Sequence, residues 1–195
     1  MTRTLSLLIA AVSLAGCASL NSLTSEVSSY SQWPADRKPG SYAFERLPSQ
    51  QTRPEQQQML EDSARPALEA AGFTPAADGK DSEYIVALGA RVNATEQYYD
   101  DPFWWRGGLY SHRFSRPWPY YGIGFGIPTT TYEREVALLI RERKSGQPLY
   151  ETRATSDGGS PSIQSLLPAM FEAAMKDFPA GSVTPRQVTT EITRP

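Results

Sequence analysis

Residues 132–156 read YEREVALLIRERKSGQPLYETRATS, and this stretch decides the fold. Val136, Leu138 and Ile140 alternate with other residues, so they project to one face of an extended strand. The turn-forming residues 144–147, KSGQ, then interrupt the run before a second extended stretch begins. Alternation broken by a short glycine-containing turn predicts a β-hairpin.

Two further strands are predicted upstream of the hairpin. Residues 84–92, YIVALGARV, place apolar or small side chains at alternate positions, which is typical of a central strand. Residues 38–48, KPGSYAFERLP, supply a Pro-Gly turn followed by the alternating pair Tyr42 and Phe44. The second segment predicts a short strand.

A helix is predicted over residues 54–73, PEQQQMLEDSARPALEAAGF. Its apolar residues recur with helical spacing, and Pro54 suits the first turn. Gly72 suits the residue that closes a helix in the left-handed conformation. Pro66 lies within the pattern, where the missing N–H and the bulk of the ring predict a kink or a break.

A second helix is predicted over residues 160–178. Ser160 offers a cap, Pro161 suits the first turn, and apolar residues recur at helical spacing as far as Phe178. Pro168 falls inside this pattern and again predicts an irregularity.

The order of these elements predicts an α/β (α+β) fold, a two-layer sandwich with a mainly antiparallel sheet and two helices on one face. We expect one domain over residues 27–179. The chain carries 19 basic and 21 acidic residues, a balance that does not favour nucleic-acid binding. The predicted core residues share apolar positions on these elements: Leu68, Val86, Leu88, Val136, Leu138, Ile140, Leu167 and Phe178.

The first residues of the chain are predicted to be a targeting segment rather than a part of the fold. Residues 5–20, LSLLIAAVSLAGCASL, follow a basic Arg3 with an apolar run too short to span a bilayer. Residues 14–17, LAGC, resemble a bacterial lipobox. We therefore expect residues 1–16 to be a lipoprotein signal peptide and Cys17, the single cysteine, to carry the lipid. The alternative is an ordinary signal peptide with a chance cysteine.

The predicted lipid anchors the mature protein, since acyl chains bind a bilayer in proportion to their buried methylenes. Residues 17–26 are then a lipidated tether rich in small polar residues, and residues 180–195 a loose C-terminal tail. Ala18 and Ser19 follow the cysteine. By resemblance to enteric lipoproteins, the absence of aspartate there implies the outer membrane.

An aromatic-rich insertion occupies residues 96–127 and holds about half of the chain's aromatic residues. Insertions of this length are often functional, and aromatic rings interleaved with arginine are typical of binding surfaces. The predicted partner-binding residues in it are Trp104, Trp105, Arg106 and Trp118. The alternative is that these rings pack on the domain as a second core or form a spacer.

Catalytic signals are weak. Residues 122–126, GIGFG, lack both the spacing and the following helix of a phosphate-binding loop. Asp100, Asp101 and His112 show no recurring metal-ligand spacing, so no metal site and no cofactor are predicted. His112 is the single histidine, which leaves nucleophilic catalysis without an obvious base.

The order of these sequence segments along the chain resembles that of a known family. The lipobox, SYAFERLP, the helix ending EAAGF, YIVALGARV, EVALLIRERKSGQPLYETRATSDG and a last helix closing in DFP resemble bacterial lipoproteins that contain domain of unknown function 4136. The resemblance runs over roughly residues 27–179. It implies a compartment and a fold but carries no catalytic residues.

The sequence therefore predicts a non-catalytic lipoprotein of the cell envelope. We expect a binding or structural module on the periplasmic face of the outer membrane, with an envelope protein or a cell-wall component as partner. The alternative is an envelope hydrolase that uses carboxylates the sequence does not single out.

Overall fold

The computed structural model of the chain describes residues 21–77, 81–98 and 128–192. Within these ranges it contains seven strands, three α-helices and one 3-10 turn. In chain order they are β1 (Ser22–Ser31), β2 (Ser41–Glu45), α1 (Pro48–Gln51), α2 (Pro54–Ala70), β3 (Thr74–Pro75), β4 (Tyr84–Tyr98), β5 (Pro128–Glu142), β6 (Pro148–Gly158), the 3-10 turn (Gln164–Leu166), α3 (Leu167–Met175) and β7 (Arg186–Glu191).

The strands form one sheet in the order β3-β2-β4-β5-β6-β1-β7. Neighbouring strands are antiparallel except for β2, which runs parallel to β3 and β4. Helices α2 and α3 contact each other, α2 contacts β4, and α3 contacts β1, β5, β6 and β7. The predicted two-layer α+β sandwich, with a mainly antiparallel sheet and two helices on one face, is confirmed.

The core lies between the helices and the sheet. In the register of β4 and β5, Val86 pairs with Ile140 and Leu88 pairs with Leu138. These four side chains are at most 4% exposed because all of them face the helices. The predicted core is confirmed, with seven of its eight residues buried and Phe178 partly buried against them.

The predicted hairpin is formed by β5 and β6. Its turn is closed by backbone hydrogen bonds from the N–H of Glu142 to the carbonyl of Gln147 at 2.9 Å and from the N–H of Gly146 to the carbonyl of Glu142 at 2.8 Å. Gly146 has φ of +72°, a conformation that glycine adopts without a steric penalty.

Helix α2 continues through Pro66, so the expected break does not occur. Proline at this position leaves the carbonyl of Asp62 without its helical N–H partner. Both residues are exposed, which allows water to hydrate that carbonyl. On the opposite side of the helix Ala64 and Leu68 are fully buried, and this packing holds the helix across the proline.

Gly72 closes α2 as predicted, with φ of +94°. The N–H of Phe73 donates to the carbonyl of Leu68 at 3.0 Å, and the N–H of Gly72 donates to the carbonyl of Glu69 at 2.9 Å. This pair of hydrogen bonds is a Schellman motif, which satisfies carbonyls that would otherwise be unpaired at the helix end.

Helix α3 begins at Leu167, so the predicted start at Ser160 is wrong. The hydroxyl of Ser160 instead accepts a hydrogen bond from the N–H of Ser162 at 3.2 Å, a local turn that competes with a helix cap. Pro168 consequently lies in the first turn of the helix, where proline costs no hydrogen bond.

The predicted N-terminal limit of the domain, Val27, is too far along the chain. Strand β1 begins at Ser22, inside the residues expected to be a tether. Its buried positions include Ser25 and Ser29, which are 0% and 4% exposed. Serine at buried positions gave this strand the composition of a linker and concealed its alternation.

The predicted loose tail is also wrong in part, because residues 186–191 form β7 and pair antiparallel with β1. Val188 and Thr190 are 5% and 4% exposed. The hydroxyl of Thr190 donates to the carbonyl of Ala169 at 3.0 Å, which ties this edge strand to α3.

We expect Leu138→Ala to lower the free energy of unfolding by about 2–5 kcal/mol, because it removes buried methyl groups and leaves a cavity. Leu139→Ala is the matched control, since Leu139 is half-buried on the opposite face of the same strand. Chemical denaturation of the two variants measures the difference. Equal losses of stability would show that the strand faces are wrongly assigned.

Candidate functional site

The residues singled out from the sequence lie outside the described part of the chain. This applies to the lipidation site Cys17 and to the aromatic candidates Trp104, Trp105, Arg106 and Trp118. Their roles therefore stay predictions.

A groove opens between α2 and α3 on the outer side of the helix layer. Its volume is about 1050 Å³, and eleven of its seventeen lining residues are apolar. We call it the helix groove; it runs from Glu191 at the end of β7 to Trp33 and Phe178 beyond the far ends of the strands. A cavity of this size with an apolar lining and few polar groups is typical of a binding site.

Alanine and proline side chains line the helix groove and leave its space unfilled. Ala67 and Ala169 line it from the two helices and are 6% and 3% exposed, so they form part of its floor. Ala70 lines the same space and is exposed. Pro66 and Pro168 line it as well, and their compact rings leave the space between the helices open.

One end of the helix groove is closed by an aromatic cluster around Trp33. Its ring centroid lies 4.9 Å from Phe178, 5.1 Å from Tyr84 and 5.6 Å from Phe73. The indole N–H of Trp33 donates to the carbonyl of Arg37 at 2.9 Å. Ring packing and a satisfied indole fix this wall before any ligand arrives.

Arg37 also lines the groove at this end and forms an ion pair with Glu142 at 2.9 Å. The hydrogen bond to Glu142 raises the pKa of Arg37 above its usual value. The Ser145 hydroxyl, and then Arg37, lower the pKa of Glu142. Both groups are therefore charged at neutral pH, and they place an ion pair at the rim of the groove beside the aromatic cluster.

The remaining charged side chains along the groove are exposed and belong to its rim. Glu172 lies on α3, Lys176 directly follows that helix, and Glu191 lies at the end of β7. A groove with an apolar floor and a charged rim can bury the apolar side chains of a bound peptide segment. Salt bridges from the rim can then orient that segment through its own charged residues.

Buried carboxylates within the described ranges are held by arginine. Glu61 accepts two hydrogen bonds from Arg46, both at 2.7 Å. Glu135, on the sheet face away from the helices, is bridged by Arg91 at 2.6 Å and by Arg153 at 3.1 Å. Such bidentate or bridged pairs are typical of structural carboxylates, because their oxygens are already engaged.

The described ranges contain no group of three His, Cys, Asp or Glu side chains that could hold a metal ion. Nor does any helix in those ranges combine the length and the hydrophobicity that crossing a bilayer requires.

Sequence reasoning missed the helix groove. The signals were present in Pro66 and Pro168, but we interpreted both prolines as defects of the helices that carry them. Ala67 and Ala71 likewise fitted the apolar face of a predicted helix, and Ala70 gave no signal of its own. What the sequence did not supply is the pairing of the two helices, which brings these residues to one surface.

A sequence model of the family described as "Domain of unknown function (DUF4136)" matches residues 26–180. The comparison with curated proteins found no match. Among solved structures, the chain is similar to a PDZ domain protein from Parabacteroides distasonis, with a TM-score of 0.47 and 13% identity over 90% of this chain. The chain spans 40% of the length of that protein.

Two other solved structures are similar over most of their own length. One is the PelC dodecamer from Paraburkholderia phytofirmans, with a TM-score of 0.41 and 13% identity over 77% of this chain and 94% of that one. The other is a DUF4136 family protein from Bacteroides thetaiotaomicron, with a TM-score of 0.31 and 13% identity over 78% of this chain and 92% of that one.

We expect Arg46→Ala to lower the free energy of unfolding by about 1.5–3 kcal/mol, because it leaves the Glu61 carboxylate buried without its charged donor. Arg65→Ala is the control, since Arg65 pairs with the exposed Asp62 at 3.5 Å and such pairs contribute about 1 kcal/mol or less. Denaturant titration measures both. Equal effects would contradict a structural role for Glu61.

Proposed function

This chain belongs to the DUF4136 family, whose function is unknown, and on that premise we propose that it is a non-catalytic, lipid-anchored binding module of the cell envelope. Cys17 holds it on the periplasmic face of the outer membrane. The helix groove binds an apolar segment of an envelope protein.

The helix groove is the main observation in support of a binding role. Its apolar floor and its volume of about 1050 Å³ suit several apolar side chains. A sugar polymer would need hydrogen-bonding groups along the floor, whereas here the charged groups Arg37, Lys176 and Glu191 lie at the rim. This distribution favours a protein segment over a cell-wall glycan.

The state of the buried carboxylates supports a non-catalytic role. A hydrolase needs a carboxylate whose oxygens are free to exchange a proton or to attack the substrate. Glu61 and Glu135, the buried carboxylates of the described ranges, are each engaged by arginine.

The lipid anchor is supported by the sequence. The apolar run that follows Arg3 and ends in LAGC has the charge, the length and the small residues of a lipoprotein signal peptide, with Cys17 at the position that takes the lipid. Several acyl chains on one residue bind a bilayer strongly, since each buried methylene contributes about 0.8 kcal/mol.

We expect Cys17→Ser to move the protein from the membrane fraction to the soluble fraction or to leave it unprocessed. Fractionation of cells and intact-mass measurement test this, with Ser19→Cys in the Cys17→Ser background as a control for the position of the thiol. Wild-type protein in the soluble fraction, at a mass without acyl chains, would overturn the anchor.

We expect Ala70→Trp to abolish partner binding while the domain stays folded, because the new ring occupies the helix groove from an exposed position. Ala94→Trp is the matched control, since Ala94 is also exposed but does not line the groove. Proteins recovered from cross-linked envelopes are compared for both variants and the wild type, with thermal unfolding measured in the same preparations.

A protein that is captured by the wild type and by Ala94→Trp, but not by Ala70→Trp, supports the groove. Trp104→Ala and Trp118→Ala in the same assay test the aromatic segment, where losing an anchoring ring costs at least about 2 kcal/mol of binding. If those variants lose the partner and Ala70→Trp retains it, the groove is not the binding site.

A further inference from the structure

We infer that one defined end of the sheet faces the bilayer, namely the end at which β1 begins and β7 ends. This inference rests on the proposed lipidation of Cys17. The interaction partner of this end is the hydrated headgroup layer of the membrane.

Strand directions define the two ends of the sheet. At one end Ser22 of β1 pairs with Glu191 of β7, and Gly158 of β6 pairs with Tyr132 of β5. Strand β4 ends there at Tyr98. We call this the anchor end, because the chain enters β1 from Cys17 at this point.

The opposite end, called the distal end, holds the hairpin turn at residues 143–147. Strand β1 finishes toward it, where Ser31 pairs with Tyr150. The aromatic cluster around Trp33 follows directly after β1 and therefore belongs to this half of the domain.

Chain length limits how far the anchor end can be from the bilayer. Five Cα steps separate Cys17 from Ser22, and each spans at most about 3.6 Å, so Ser22 lies within about 18 Å of the lipidated residue. Strand β1 continues for nine steps to Ser31, which is about 30 Å at 3.3 Å per residue.

These two lengths exclude the inverted orientation. If the distal end pointed at the membrane, Ser31 would lie about 30 Å closer to it than Ser22 does, and a tether of about 18 Å would place it inside the bilayer. An upright domain satisfies the tether without any such penetration.

The chemistry of the anchor end agrees with a position at the headgroups. Polar side chains are exposed at this end, among them Thr95, Asp157 and Glu191. Burying such groups in hydrocarbon is costly unless they are hydrogen-bonded. The described side chains of this end therefore suit hydrated headgroups rather than hydrocarbon.

The test uses thiol labelling of the full-length lipoprotein. Cys17 is the single cysteine of the chain, so once it is acylated an introduced cysteine is the sole free thiol. Thr95→Cys marks the anchor end and Lys144→Cys marks the distal end; both positions are exposed. Each labelled protein is reconstituted into vesicles of phosphatidylethanolamine and phosphatidylglycerol that carry an acceptor dye on a headgroup.

We expect energy transfer from Thr95→Cys to exceed that from Lys144→Cys about twofold or more, since roughly 36 Å of strand separates the two positions. Asn93→Cys and Ser145→Cys form a second pair in case one of the first variants does not fold. Vesicle-bound protein with equal or reversed transfer overturns the orientation alone. Protein recovered free of vesicles overturns the anchor, and the orientation with it.

Discussion

The register between β4 and β5 is the constraint on which the rest of the structure depends. Side chains alternate across a sheet, so a slip of one residue would move Val86 and Leu88 from the helix side to the solvent side. Their partners Ile140 and Leu138 fix the register from the other strand, because all four side chains must be buried together. Both helices then pack on the surface that this pairing creates.

The elements nearest to this pairing were predictable from the sequence because they carry strong apolar alternation. The hairpin, the central strand and the glycine that ends α2 all agree with the structure. The outer strands were not predictable in the same way. Strand β1 buries Ser25 and Ser29, and a buried serine next to a helix has the same sequence signature as a serine in a linker. Their burial is decided by α3, which lies far along the chain.

The helix groove was also not predictable from the sequence, for a related reason. The sequence contained the residues of the helix groove, yet each proline was understood only as a local disturbance of its own helix. Pro168 disturbs nothing, because α3 begins one residue before it. Pro66 lies on an exposed side, where water has access to the carbonyl that loses its helical N–H partner. The groove forms only when the two helices lie side by side, and the sheet beneath them determines how they pack.

The geometry of the sheet relates the helix groove to the proposed lipid anchor. Glu191 lines the groove and also pairs with Ser22, the strand residue nearest to Cys17, whereas Trp33 and Phe178 close the groove at the distal end. With the anchor end toward the bilayer, the groove therefore extends away from the membrane, and its opening faces sideways. In the proposed location, a partner segment would reach its apolar floor from the periplasm without passing between the domain and the lipid. The proposed tether would also limit which partners can bind, because it would hold the rim nearest to the membrane within about 20 Å of the bilayer.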